Sequence, residues 1–202
     1  MRVFLIATLI SLFLNCYAQA GKYNPVLSIG DDAPVWNELP ATDGKQHSLS
    51  DLKDSEVVIV AFTCNSCPYA VDVEDRLNEL VASYAEQKVS LVAINVNFGE
   101  SDALPAMKQR STEKKFAFAY LRDQSQQIAR DFGALRTPEF FVLDQQRKVV
   151  YMGSLDDSPD AKKITKNYVQ DAVNAVLAGK EVPVTETIAI GCGVRFKRKR
   201  ER

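Results

Sequence analysis

Val57-Val58-Ile59-Val60-Ala61-Phe62 is an unbroken apolar run rich in β-branched side chains. Such a run has no side to turn toward water, so it predicts a strand buried on both faces, as in a parallel sheet. Further on, Ala70, Val73, Leu77, Leu80, Val81 and Tyr84 recur at three- and four-residue spacing, the apolar stripe of a helix. Asp72, Glu74, Asp75, Asn78 and Glu79 fall between them and are expected to face water. Val89-Ser90-Leu91-Val92-Ala93-Ile94-Asn95-Val96 then reads as a second buried strand. Strand, helix, strand is a βαβ unit. At its first strand-to-helix junction stands Thr63-Cys64-Asn65-Ser66-Cys67-Pro68-Tyr69-Ala70.

The rest of the chain extends this pattern. Helices are predicted from Asp102 to Lys115, from Ser125 to Phe132 (closed by Gly133) and from Ile164 to Leu177 (ended by Gly179). Ala117 to Leu121 reads as a short strand, and Glu139 to Leu143 with Lys148 to Met152 as a hairpin. Ala33 to Leu52, turning at Thr42-Asp43-Gly44-Lys45, predicts an N-terminal β-hairpin. Glu181 to Cys192 shows no period, and the basic stretch from Phe196 to Arg202 is expected to be a solvated tail. The sum is a single mixed α/β domain whose helices cover both faces of the sheet. A chain of 202 residues buries a sufficient core without disulfide staples. Its formal charge of −1 argues against general binding to nucleic acid or membrane surfaces.

The first residues follow other rules. Arg2, the apolar run Val3 to Leu14 and the closing Ala18-Gln19-Ala20 describe a secretory signal peptide cut near Ala20. The run is too short for the ~20 residues of a membrane span. A lipoprotein anchor at Cys16 is the weaker alternative, since Phe13-Leu14-Asn15 leads into it poorly. The expected layout is a leader at 1–20, one domain at 21–195 and a tail at 196–202, in a periplasmic or secreted protein. Export makes disulfide chemistry available. Once Cys16 is removed, Cys64 and Cys67 can pair, leaving Cys192 over.

Two cysteines at a helix start can serve redox chemistry, a structural disulfide or a metal. The unpaired N–H groups and dipole of a first turn favour a thiolate, and a Cys-x-x-Cys setting lowers the thiol pKa. On this reading Cys64 is the exposed, attacking sulfur, and Cys67, one turn in, is the more buried resolving sulfur. Pro68 suits the first helical turn, with Asn65 or Ser66 as the cap. A purely structural disulfide closing so small a ring stabilises little. Zinc held by Cys64, Cys67, Cys192 and His47 is the sharper rival. Against it, His47 lies in a hairpin and no second Cys-x-x-Cys exists. The redox reading is favoured, with no metal and no cofactor beyond the sulfurs.

Strand, Cys-x-x-Cys, helix and then Thr137-Pro138 ahead of a hairpin resembles the thioredoxin superfamily. Within it, "FTCNSCPYA", "RTPEFFVLD", "VVYMGSLDDSP" and "IGCGVRFK" resemble exported redoxin-domain proteins of the alkyl hydroperoxide reductase/thiol-specific antioxidant branch, over roughly Ile29 to Lys197. The resemblance implies a thioredoxin-like fold: a central mixed β-sheet flanked by helices, with an N-terminal β-hairpin extension and a helical insertion. It implies Cys64 and Cys67 as the redox pair, Pro138 as a cis-proline beside them, and Thr137 as a backbone contact for substrate. Cys192 becomes a candidate third redox thiol, a buried free thiol being the plainer reading. The implied activity is thiol–disulfide exchange by a monomer. Its partners would be client protein disulfides or thiols and a membrane or periplasmic thiol donor or acceptor. Two departures matter. Val58 stands where thioredoxins carry a buried acid, so the proton-transfer base is unassigned. The Pro-x-x-x-Thr-x-x-Cys frame of thiol peroxidases also fails. Val57 and Ala61 precede Cys64 at those places, and Val60 and Cys64 precede Cys67. Thiol peroxidase and metal-binding protein remain the alternatives.

Overall fold

The computed structural model describes residues 21–197. The expected leader at 1–20 and the end of the basic tail lie outside them. The N-terminal hairpin is present but short: β1 (Leu39–Pro40) pairs antiparallel with β2 (Gln46–His47) across the predicted turn. The apolar run becomes β3 (Val57–Thr63), buried along its whole length. It runs at the centre of a five-stranded sheet, parallel to β4 (Val89–Asn95), which is parallel to β5 (Ala119–Arg122).

A two-residue strand, β6 (Arg136–Thr137), precedes β7 (Glu139–Leu143). β7 runs antiparallel to the other side of β3 and turns back into β8 (Val149–Gly153). Successive side chains of β3 point to opposite faces, and the core divides accordingly. Val58, Val60 and Phe62 face one cluster with Trp36, Phe132 and Phe141. Val57, Ile59 and Ala61 face the other. On the first face Phe62, Phe132 and Phe141 meet edge to face, with centroids 5.1–5.7 Å apart.

The helix predicted after the cysteines is two helices. α1 (Pro68–Asp72) and α2 (Glu74–Ser83) meet at Val73, and the apolar stripe survives the break: Ala70, Val73, Leu77 and Leu80 are all buried. α3 (Leu104–Glu113) lies in the β4-to-β5 crossover, and α4 (Gln127–Asp131) precedes the β6–β7 corner. α5 (Tyr168–Leu177) buries Val169, Ala172 and Val173 against the second core face.

Glu74 corrects the expectation that it faces water. Its side chain is buried, and Arg110 of α3 donates to both carboxylate oxygens through Nε and Nη2. A single sequence cannot reveal such a partner 36 positions away.

The aperiodic stretch from Glu181 has a definite place. Met152 N–H donates to Thr185 O and Thr187 N–H donates to Met152 O, each at 3.0 Å, so the segment covers the outer edge of β8. It then reaches β9 (Cys192–Gly193), which pairs antiparallel with β6. The tail expectation is corrected at its start. Phe196 lies under the Arg130 guanidinium at 4.3 Å, and Lys197 N–H donates to Gln126 Oε1 at 2.8 Å.

Candidate active site

β3 ends at Thr63 and delivers Cys64 into a loop at the top of the sheet, directly facing the β6–β7 corner. The Thr137–Pro138 peptide bond is cis, as the family resemblance implies. Thr137 touches both sulfurs. Its Oγ1 is 3.4 Å from Cys64 Sγ, and its carbonyl accepts a hydrogen bond from Cys67 Sγ at 3.0 Å. Cys67, rather than Asn65 or Ser66, is the N-cap of α1, with Pro68 at the first helical position. Its carbonyl accepts from the N–H groups of Ala70 and Val71.

The expectation of an exposed Cys64 is overturned, while Cys67 is buried as expected. Cys64 is 1% exposed and Cys67 2%. Strand spacing places Cys64 at the junction, but it cannot show that β9 closes over it. The electrostatics also reverse the expected order. Burial pushes the Cys64 thiol up; the Thr137 and Ser66 hydroxyls oppose this, and the charge of Asp102 adds to it. Burial by itself would push Cys67 up as well. The thiol and N–H of Cys192, the N–H of Ala70 and the Thr137 side chain outweigh it and bring Cys67 below its ordinary value. The neighbouring Cys67 side chain, followed by burial, pushes the Cys192 thiol up to about 11.

Cys192 reaches the pair because β9 approaches unusually closely. It stands opposite Thr137 in the β6–β9 register and packs against Cys64, Cys67 and Ala70. A Cβ on Gly191 would come within 2.2 Å of the Thr137 carbonyl oxygen, so only glycine fits there. Arg136 Nη1 donates to the Gly191 carbonyl at 3.0 Å. All three cysteines are free thiols. His47 lies apart from them, on the hairpin, paired with Asp43 at 2.8 Å. Among the described residues no group of His, Cys, Asp or Glu has the arrangement of a metal site.

A polar layer beneath the Cys loop went unread in the sequence. Asp102 is wholly buried, and its Oδ1 accepts from Asn65 N at 2.7 Å and Asn95 Nδ2 at 3.1 Å. Its Oδ2 has no hydrogen-bond partner among the described residues. Tyr120 donates its hydroxyl to Asn65 Oδ1 at 2.7 Å, and Arg122 Nη1 donates to Asn95 O. Ser66 directs its hydroxyl toward Cys64 Sγ at 3.7 Å. Glu139, after the cis-proline, is buried and accepts from the N–H groups of Leu135 and Arg136, which fixes the corner. Burial pushes its carboxyl up. Val58 leaves the strand without an acid, and Asp102, at the end of the 3-10 turn before α3, is the buried carboxylate that holds the Cys loop.

The family model of AhpC/TSA proteins matches residues 29–152, which hold the cysteine pair and the cis-proline corner. The chain belongs to the AhpC/TSA family. It is thus of an oxidoreductase-type, thioredoxin-like family. Among solved structures, a hypothetical protein from Sinorhizobium meliloti 1021 is 34% identical with a TM-score of 0.80, covering 86% of this chain and 97% of that one. An uncharacterized conserved protein from Geobacillus kaustophilus is 33% identical at the same TM-score, covering 86% and 95%. Peroxidoxin BcpB from Mycobacterium tuberculosis, at 24% identity, a TM-score of 0.58 and coverage of 74% and 96%, shares the fold. A search of curated proteins finds no match. The AhpC/TSA match ends before Cys192, so β9 lies beyond the part of the chain that defines the family.

Proposed function

We propose that this AhpC/TSA protein is a thiol–disulfide oxidoreductase exchanging electrons through Cys64 and Cys67. The observation that carries the reading is the shared contact of both sulfurs with Thr137 at the cis-proline corner. One residue thereby holds the two thiols in a single polar frame. In the reducing direction a thiolate attacks a client disulfide, one client sulfur leaves, and the second site cysteine attacks the mixed disulfide. The second client sulfur then departs, and the client gains two electrons as the Cys64–Cys67 disulfide forms. Asp102 supports the Cys loop by accepting from Asn65 N–H. The missing peroxidase frame at Val57 and Ala61 favours disulfides over peroxides as substrates. Partners on this reading are protein disulfides or thiols and a periplasmic or membrane thiol donor or acceptor, met by a monomer after export.

The test is reduction of insulin disulfides with dithiothreitol as electron source. The protein should accelerate it, and Cys64→Ala or Cys67→Ala should abolish the acceleration. Peroxide turnover at peroxidase-like rates without insulin reduction would replace this reading with the peroxidase one.

A further inference from the structure

The oxidoreductase reading uses two sulfurs, yet three meet at the corner. Cys192 is the least buried of them, while Cys64 and Cys67 are sealed from solvent. Its side chain packs against the cluster formed by Cys64, Cys67 and Ala70. β9 is held against the corner by the Thr137–Cys192 pairing, by Arg136 on the Gly191 carbonyl, and by the glycine that allows the approach. Gln126 fixes the chain beyond, donating through Nε2 to Val96 O at 2.7 Å and Arg195 O at 2.8 Å. Cys67 thus stands between two thiols, one three residues before it in the loop and one on β9.

We propose that the three sulfurs form one exchange unit in which Cys67 pairs alternately with Cys64 and Cys192, so that Cys192 carries electrons between the sealed pair and external thiols or disulfides. The inference rests on the oxidoreductase reading for its purpose. The central step is an exchange without net oxidation. Starting from the Cys64–Cys67 disulfide, the Cys192 thiolate attacks the Cys67 sulfur. The bond to Cys64 breaks, the Cys67–Cys192 bond forms, and Cys64 leaves as a thiolate that takes up a proton in place of the one Cys192 lost. An external thiolate then attacks Cys192, and Cys67 departs as a thiolate and takes up a proton. A second external thiol resolves the mixed disulfide at Cys192. In sum two external thiols become a disulfide, and the Cys64–Cys67 disulfide becomes a dithiol. Run backwards, the same steps reduce an external disulfide.

The decisive experiment oxidises the Cys64→Ser protein with glutathione disulfide and maps its disulfides by mass spectrometry under non-reducing conditions. The expected product is an intramolecular Cys67–Cys192 disulfide. A glutathione adduct on Cys67, with Cys192 still open to alkylation, would overturn the proposal. Gly191→Ala in the Cys64→Ser background keeps both remaining thiols but sets a Cβ against the Thr137 carbonyl, so the Cys67–Cys192 product should be lost. Its persistence would show that the pairing does not depend on the close approach of β9, and would overturn the geometric basis. Insulin reduction by the wild type separates the two claims. Wild-type activity with no Cys67–Cys192 product removes this inference alone. The Cys67–Cys192 product without wild-type activity removes the oxidoreductase reading alone.

Discussion

The Cys67 thiol is brought below its ordinary value by donors rather than by exposure. Burial disfavours any thiolate there, and the Cys192 thiol with nearby N–H groups reverses the balance. Alkylation rate against pH, followed peptide by peptide, should show Cys67 titrating below its ordinary range and Cys64 above it. Cys192→Ala removes the principal donor, so the Cys67 profile should move to higher pH. An unmoved profile would remove Cys192 from that role. Asp102 acts with the opposite sign. Its negative charge opposes a second one on Cys64, so Asp102→Asn should shift the Cys64 profile to lower pH. Asparagine keeps an oxygen able to accept from Asn65 N, which leaves the loop held. A Cys64 profile that rises or stays fixed would contradict the assignment.

At the scale of elements, the Glu74–Arg110 pair ties α2 to α3 across the second core face. With Glu74 buried, removing only the arginine strands a charge away from water. Arg110→Met should cost roughly 3 kcal/mol, the lower end for a broken buried pair, because Arg110 retains some solvent. The joint replacement Glu74→Leu with Arg110→Met should recover most of that loss. Urea unfolding of the single and double variants checks both statements. Equal losses would mean that the pair contributes only through packing. α1 and α2 teach a related point. The apolar stripe through Ala70, Val73 and Leu77 marks the buried face correctly, while the break at Val73 leaves no trace in the spacing.

For the whole molecule, the segment beyond α5 closes what the sheet leaves open. Thr187 Oγ1 accepts from Ser154 N at 2.9 Å and shares a hydrogen bond with the Tyr151 hydroxyl at 2.7 Å. Thr187→Val keeps the shape but takes the acceptor from Ser154 N–H, while the Tyr151 hydroxyl keeps its bond to Ser154 O, which should cost about 1–3 kcal/mol. It should also speed alkylation of Cys64 and Cys67, because the same strand continues into β9. Thermal unfolding together with alkylation kinetics tests this. Destabilisation with no change in cysteine access would mean that β9 is held independently of the β8 edge.

The sequence by itself determined the βαβ core, the buried central strand, the sites of Cys64 and Cys67 and, through resemblance, the family and the cis-proline corner. These features are local or periodic: β-branched runs, three- and four-residue spacing, and motifs a few residues long. Only the tertiary structure decided that the Cys67 thiol is the lowered one, because its donors include Cys192 on β9, more than a hundred residues away. It also decided that Asp102 lies beneath the Cys loop and that Glu181 to Cys192 is an edge cover rather than a loose connection. Those contacts are made by backbone groups and by single side chains with no repeating pattern. Glu74 was misjudged for the same reason. A charge in a helical pattern looks solvated until the opposite charge that permits its burial is brought to it by the fold.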